Sequence, residues 1–338
     1  MKSEKVITFG EAVIDRLGPL GGDPSKDLPV TDCFGGAPAN VACALSRLNV
    51  NVSFIGSLGN DSYGESFKNL LIKRGVDTSG LQQDDYRPTR IVLVRRDAEG
   101  ERFFEGFKKD KGLGFADQAI SRQQIIKKWP LIIDRARWLV VGTLPLSSEI
   151  SSDAFTWCIE NALDAGINIA LDLNWRPTFW RNEVSTEFRP TAREKKEIVS
   201  ILKKVSLIKL AKEEAQCFFD TSNPIEISSM LPNKPSVIVT DGSNPILWLL
   251  NNQFGESVAI SPTSVVDTTG AGDAFTAGLI YKLLTFNLDQ ISKEISEEII
   301  RFAIACGSFV CGGIGAIEAQ PYKEDIDNLL SLSNGGLS

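Results

Sequence analysis

The stretch Val265–Leu284, VVDTTGAGDAFTAGLIYKLL, constrains this chain more than any other. Its first residues are β-branched, as a strand end should be. Gly270 and Gly272 then flank Ala271, and apolar residues recur at helical spacing at Phe275, Leu279 and Leu283. The pattern predicts a strand, a glycine turn and a helix beginning at Ala271. A helix N-terminus carries unpaired N–H groups and the positive end of the dipole, so it binds anions. Asp273 falls in the first turn, where it would repel such an anion and is expected to stay ionised. One reason to place a carboxylate there is to take the proton of a hydroxyl that attacks phosphorus. The plain alternative is an ordinary loop with Asp273 as a helix cap.

Composition narrows the chemistry. The chain has 338 residues and no histidine. Ser-His and Cys-His nucleophilic machinery and His-ligated zinc are therefore excluded. Acid–base work must fall to Asp, Glu, Lys, Tyr or Cys. The net charge of −7 argues against nucleic acid as a partner. No apolar run approaches about 18 residues, so no membrane span is expected. The opening MKSEKVITFG runs straight into a strand without a signal-peptide core. Six cysteines without a C-x-x-C pair read as small buried hydrophobes in a reducing compartment. The expectation is a cytoplasmic protein with one large α/β domain.

Taken in order, Val6–Phe9 is a strand that Glu11 to Asp15 continue. Asp15 closes it, either as a surface strand end or as an acceptor for a polyhydroxylated ligand. Leu20–Pro29 reads as a loop. Gly35 and Gly36 precede Pro38, which suits the first turn of a helix with Val41, Ala44, Leu45 and Leu48 on its apolar face. Asn40 is out of place on that helix. It is either a packed or capping residue, or an amide that holds sugar hydroxyls together with the glycine backbone. Further strands are expected at Val52–Ile55, Ile91–Val94, Arg102–Phe104, Trp138–Val141, Ile167–Leu171, Val205–Leu210 and Val237–Thr240. Turns are expected at Gly56–Asp61 and Asp97–Gly100, and helices at Tyr63–Arg74, Ser151–Ala165, Lys212–Phe219 and Glu294–Phe309. This alternation predicts a mostly parallel sheet covered on both faces. The hairpin around Asp97, with the segment Ile14–Phe34, predicts a small β lid over a pocket. Asp172-Leu173-Asn174-Trp175-Arg176 ends a buried strand, where open α/β sheets place their sites. Walker A, Rossmann and protein-kinase patterns are all lacking.

Two motifs carry a resemblance. Gly35-Gly36-Ala37-Pro38-Ala39-Asn40-Val41-Ala42 resembles the first signature of the ribokinase/pfkB family of carbohydrate kinases, and Asp267-Thr268-Thr269-Gly270-Ala271-Gly272-Asp273-Ala274-Phe275 resembles the second. Their order and separation match, and the likeness extends from Gly10-Glu11 to Gly313–Pro321. Among the members the chain is most similar to fructokinases, through Gly10–Asp15, Asp97–Phe104, and Asp172-x-Asn174-x-Arg176 with Trp180.

The resemblance implies a ribokinase-like three-layer α/β/α sandwich spanning residues 1–338, with a mostly parallel central sheet. Its β lid would come from about residues 12–34 and 88–110 and offers a homodimer contact. It also implies ATP-dependent phosphorylation of a primary hydroxyl of a neutral sugar, fructose first, with Mg2+ and K+. The alternatives are a 2-keto-3-deoxygluconate kinase and an inactive binding or scaffold protein. A sugar acid would need a cation in the pocket, for which Arg16, Arg90, Arg102 and Arg176 are candidates.

By the same resemblance Asp273 matches the catalytic base, and the backbone of Gly270, Ala271 and Gly272 the anion hole. Asp15, Gly35, Gly36 and Asn40 fall where sugar binds. Thr240 and Gly242 match the nucleotide loop, while Asn174 and Arg176 lie near the transferred phosphate. Glu214 matches a magnesium-linked residue acting through water. Asp267, Thr269, Val310, Gly313, Gly315 and Ala319 fall on the monovalent-cation loop. The chain departs from the family at Ala211, where an Asn is usual, and at Asp241 and Pro245 in the nucleotide loop. An acidic Asp241 is expected to weaken or reorient nucleotide binding. Lys108–Gly114 also differs from the usual fructokinase connection.

Overall fold

A computed structural model describes residues 4–97, 102–110, 112–181, 187–262, 264–286 and 288–335. Its strands are β1 Lys5–Phe9, β2 Val13–Leu20, β3 Thr31–Gly35, β4 Asn51–Gly59, β5 Asp77–Asp84, β6 Ile91–Arg96 and β7 Arg102–Phe107. They continue with β8 Ala136–Val141, β9 Asn168–Asp172, β10 Leu207–Ala211, β11 Ser236–Thr240, β12 Ile246–Leu250 and β13 Gln253–Ser257. The main sheet runs β13-β12-β11-β10-β9-β8-β1-β4-β5, and the second β3-β2-β6-β7. From β11 to β5 every neighbouring pair is parallel, while β12 and β13 are antiparallel additions at one edge.

Both faces of the main sheet are covered, and the strand sequences say why. Successive side chains on a strand point to opposite faces, so a strand buried on both faces is apolar throughout. Trp138 and Val140 of β8 join one core, with Leu279 and Ile300 from the helices Ala271–Leu283 and Lys293–Val310. Leu139 and Val141 of the same strand join the other, with Phe155 and Ile198 from the helices Glu149–Asp164 and Ala192–Leu202. The result is a three-layer α/β/α sandwich. No described helix is long and apolar enough to cross a membrane.

Several local expectations change. The first strand does not continue through Glu11–Asp15. β1 stops at Phe9, and β2 leaves the main sheet to pair with β3 and β6. Asp15 therefore opens the second sheet rather than closing the first. Gly56–Gly59 is strand, not turn, because β5 carries the ladder on to the pair Gly59↔Asp84. Val265 and Val266 form no strand and stand exposed at 66% and 54%. Their β-branching reports no ladder partner; the backbone of Val266 instead bonds to Cys311. The turn at Asp97–Gly100 falls mostly on residues 98–100, outside the described residues. The cysteines are free; Cys43, Cys158 and Cys306 are buried, and Cys33, Cys217 and Cys311 only partly so.

A buried ion pair ties the second sheet to the body. Arg90 contacts Asp117 at 3.0 Å, and its guanidinium lies 4.8 Å from the Phe107 and Phe179 ring centres and 4.7 Å from that of Phe115. Phe107 belongs to β7, and Phe179 to the short helix Pro177–Arg181 that follows the strand β9 loop. An Arg face stacks on rings while its edge serves a carboxylate, so one side chain joins three segments.

Candidate active site

The helix Ala271–Leu283 starts at the glycine turn. Gly270 has φ +81°, and a Cβ there would sit 2.6 Å from the Cβ of Ala316. Both the left-handed backbone and the close approach demand glycine. The Ala271 N–H donates to the Thr268 carbonyl at 3.2 Å, and the helix begins where two cavities meet. One, of about 480 Å3, holds Asp15, Asn40, Asn174, Arg176 and Asp273. The other, of about 540 Å3, holds Thr240, Gly242, Ala271 and Phe275. Thr268 and Gly272 line both. A larger cavity of about 620 Å3 sits at the opposite ends of β8 to β11, around Asn168 and Ser236. Ligand sites of open α/β sheets lie at the carboxyl ends of strands, so the smaller pair is the stronger candidate.

Asp273 is bonded by Asn40, whose Nδ2 donates to Oδ2 at 2.8 Å. This answers the puzzle of Asn40 on an apolar helix: its amide points at the carboxylate. Burial pushes the Asp273 carboxyl up to about 6, against the opposing pull of that hydrogen bond. Asp172 raises it further, while Lys209 and Arg176 lower it. The helix N-terminus thus does not keep Asp273 at an ordinary carboxylate value, because desolvation outweighs the dipole.

Asp15 lies against the other signature, its Oδ2 only 2.5 Å from where a Gly35 Cβ would stand. Gly36 lines the cavity, whereas Gly35 is buried beside Asp15 and does not reach it. Asn174 is left-handed at φ 40° and lines the same cavity with Arg176, whose Nη1 donates to the Trp175 carbonyl at 3.1 Å.

Glu214 is buried, and both its oxygens accept backbone N–H groups, from Trp175 at 2.6 Å and Ala211 at 2.8 Å. The second bond uses the N–H of the residue that replaces the usual Asn. Burial raises the Glu214 carboxyl, with Arg176 opposing. Asp241 is paired with Lys212 at 2.8 Å. Asp267 Oδ1 accepts from the Thr269 N–H and hydroxyl, and Oδ2 from the Gly315 N–H at 3.1 Å. That carboxylate therefore joins the loop before the helix to the Gly313–Gly315 turn, while the Val310 carbonyl accepts from Gly313. Ala319 packs where a Gly313 Cβ would stand.

Two residues that sequence reasoning missed also line the cavity of about 480 Å3. Lys209 of β10 sits 2.9 Å from Asp172, its strand neighbour, and a Cβ added at Gly272 would lie 3.1 Å from its Nζ. Burial disfavours its charge, but Asp172, with Glu214 and Asp273, outweighs this and holds the ammonium above the ordinary lysine value. Thr276 donates a further bond to Asp172. The other is Glu11, 4% exposed. The signal for Lys209 was a lone charge inside the apolar run Leu207–Ala211. Such a residue is buried only when it is paired or used.

The pfkB family carbohydrate kinase profile matches residues 3–323. The chain belongs to the pfkB family of carbohydrate kinases. The fructokinase of Salmonella typhimurium is 31% identical over 327 residues, which cover 96% of this chain and 98% of that protein. A crystal structure of the Xylella fastidiosa fructokinase with bound ATP aligns over 98% of this chain and 99% of its own, with TM-score 0.82 and 25% identity. A crystal structure of the Vibrio cholerae fructokinase, bound to fructose, ADP and calcium ion, aligns over 97% of this chain and 99% of its own, with TM-score 0.77 and 25% identity. The pfkB chain described here is a phosphotransferase acting on a sugar hydroxyl. Its fold is the ribokinase-like sandwich, built on the same α/β layers as these neighbours.

Proposed function

We propose that this kinase transfers the γ-phosphoryl group of ATP to a primary hydroxyl of a neutral sugar, with fructose as the preferred substrate. The observation that carries this reading is the meeting of two cavities at the Gly270–Gly272 turn, which share Thr268 and Gly272. A sugar in the first and a nucleotide in the second would bring hydroxyl and phosphate together at a helix N-terminus. The nucleotide cavity is walled by Ile260, Phe275 and Ile304, which suits a base.

In this mechanism Asp15 and Asn40 hold sugar hydroxyls. Asp273 orients the attacking hydroxyl and takes its proton. The oxygen–phosphorus bond forms as the bond from the γ-phosphorus to the bridging oxygen breaks, and ADP leaves. Charge on the phosphoryl oxygens is met by the N–H of Gly272, by Lys209 and by Arg176. Among the described residues no group of three or more Asp, Glu or Cys forms a metal cage. Magnesium keeps most of its own water and is held through one or two carboxylates and the substrate phosphates. Glu214 would hold its water, and the ion would supply further charge neutralisation.

A neutral sugar is favoured by the charge around it. Glu11, Asp15, Asp172 and Asp273 line the cavity, against the cations Lys209 and Arg176. Of the other arginine candidates for a sugar-acid carboxylate, Arg16 is bonded to Asp32 and Tyr63, and Arg90 to Asp117. The side chain of Arg102 lies outside the described residues. The test is kcat/KM for fructose, 2-keto-3-deoxygluconate, ribose, fructose 6-phosphate and adenosine under one set of conditions. Fructose should lead. A sugar acid ahead by tenfold, about 1.4 kcal/mol, would replace fructose while leaving the family assignment intact. Absence of turnover with every sugar would favour a scaffold protein.

Activity is also expected to rise with potassium at fixed magnesium. Asp267 already ties the loop before the helix to Gly315, and a cation held by neighbouring carbonyls would set the same geometry. Exchanging potassium for a bulky organic cation should lower kcat. A flat response would remove Asp267, Thr269, Val310, Gly313, Gly315 and Ala319 from a cation site.

A further inference from the structure

We infer that Glu11 is a positioning residue for the sugar: its carboxylate clasps the Gly36–Ala37 turn and thereby fixes Asn40 in the cavity. This rests on reading the cavity as the sugar site. Oε1 of Glu11 accepts the Ala37 N–H at 3.1 Å. Ala37 is the first residue of the helix that carries Asn40, and Gly36 at its N-cap supplies no side-chain cap. Glu11 therefore caps a helix to which it does not belong, across 26 residues of sequence.

The contact between the two segments is tight. Gly36 has φ +102°, and a Cβ there would sit 2.6 Å from the Glu11 carbonyl oxygen. Only glycine permits both the backbone and the approach. One helical turn on, Asn40 donates its backbone N–H to the Gly36 carbonyl at 2.9 Å and its amide to Asp273. A shift at Gly36–Ala37 therefore moves the amide that meets both substrate and Asp273.

Glu11 is an expensive choice for a mere structural clasp. Its other oxygen, Oε2, is buried with no hydrogen-bond partner. An unmet buried acceptor costs about 1–3 kcal/mol, so an apolar residue would serve the core better. The charged surroundings are mostly acidic. Asp117 faces it from the turn Ala116–Ala119, Asp273 from the helix, and Asp15 from β2 across the cavity. Arg90 is committed to Asp117, and Lys209 and Arg176 line the same cavity. Burial, with repulsion from Asp117 and Asp273, pushes the Glu11 carboxyl up to about 7.

The sign follows. The ionised carboxylate is the stronger acceptor for the Ala37 N–H and meets the positive end of the helix. The protonated acid holds the turn less firmly. Sugar affinity should therefore rise as pH rises through about 7. Asp273 acts on turnover, so the two groups are separable as effects on KM and on kcat.

The test compares sugar KM and kcat from about pH 5.5 to 8.5 for the wild-type enzyme and Glu11→Gln, which mimics the protonated acid. Wild-type KM for fructose should fall by about tenfold across that range. Glu11→Gln should hold the high, low-pH KM throughout, with kcat moving less than KM and the KM for ATP unmoved. A variant that keeps the wild-type pH dependence of KM, or loses kcat more than KM, overturns the inference. A second measurement needs no variant. Fructose binding to the wild-type enzyme near neutral pH, by calorimetry in buffers of different ionisation heat, should release protons. No proton release overturns the inference even while turnover stands. A wild type inactive on every sugar would instead sink the functional reading itself.

Discussion

Asp273→Asn should lower kcat by about 10²–10⁴ while sugar KM changes modestly. The substitution keeps size and leaves an acceptor oxygen for the Asn40 amide, now at 2.8 Å from the carboxylate. Fold and binding should therefore survive. What is lost is the proton acceptor. The wild-type acid limb of kcat should centre near the Asp273 value of about 6, because below it the carboxyl is protonated and cannot take the hydroxyl proton. That limb should vanish from the residual activity of the variant. Activity within a factor of about three of wild type would make Asp273 a helix-capping residue and end the mechanism.

Lys209→Met should be nearly as severe, lowering kcat by about 10²–10³. Two effects add. The phosphoryl group loses a fixed cation beside the helix N-terminus. Asp273 also loses one of the positive neighbours that hold its carboxyl down, so any surviving acid limb should move upward in pH. A structural cost accompanies this, because Asp172 is left buried without its ion-pair partner, a loss of the order of 3–5 kcal/mol. The double variant Lys209→Met with Asp172→Asn separates the two. It removes the stranded charge, so thermal stability should recover while kcat does not. Recovery of kcat in the double variant would show that Lys209 serves only to neutralise Asp172.

These residues also show what could be read in one dimension. The Gly270–Asp273 turn announces itself through local chemistry, because glycine spacing and helical periodicity are properties of neighbours in sequence. The alternation of buried strands and helices gave the sandwich for the same reason. Where a local signal misled, a distant partner was the cause. β5 extends β4 through its glycines, and among the described residues no partner strand reaches Val265 and Val266. The upward shift of the Asp273 carboxyl was not legible in sequence, because a dipole is a local feature, whereas burial depends on every segment packed around it.

The sequence by itself determined the layered α/β class and the helix that starts at Ala271, which follow from periodicity, turn chemistry and residue type. It also carried the two signatures, whose resemblance to the pfkB family implies the phosphotransferase chemistry. Only the tertiary structure decided which groups meet. Asn40 and Asp273 lie 233 positions apart and share a hydrogen bond. Lys209 finds Asp172 across 37 residues because β9 and β10 are neighbours in the sheet. Glu11 reaches Ala37 because β1 ends beside the helix that Gly36 begins. Periodicity fixes which face a side chain takes on its own element, but the packing of elements fixes what stands opposite, and charge and proton affinity in this site are set by what stands opposite.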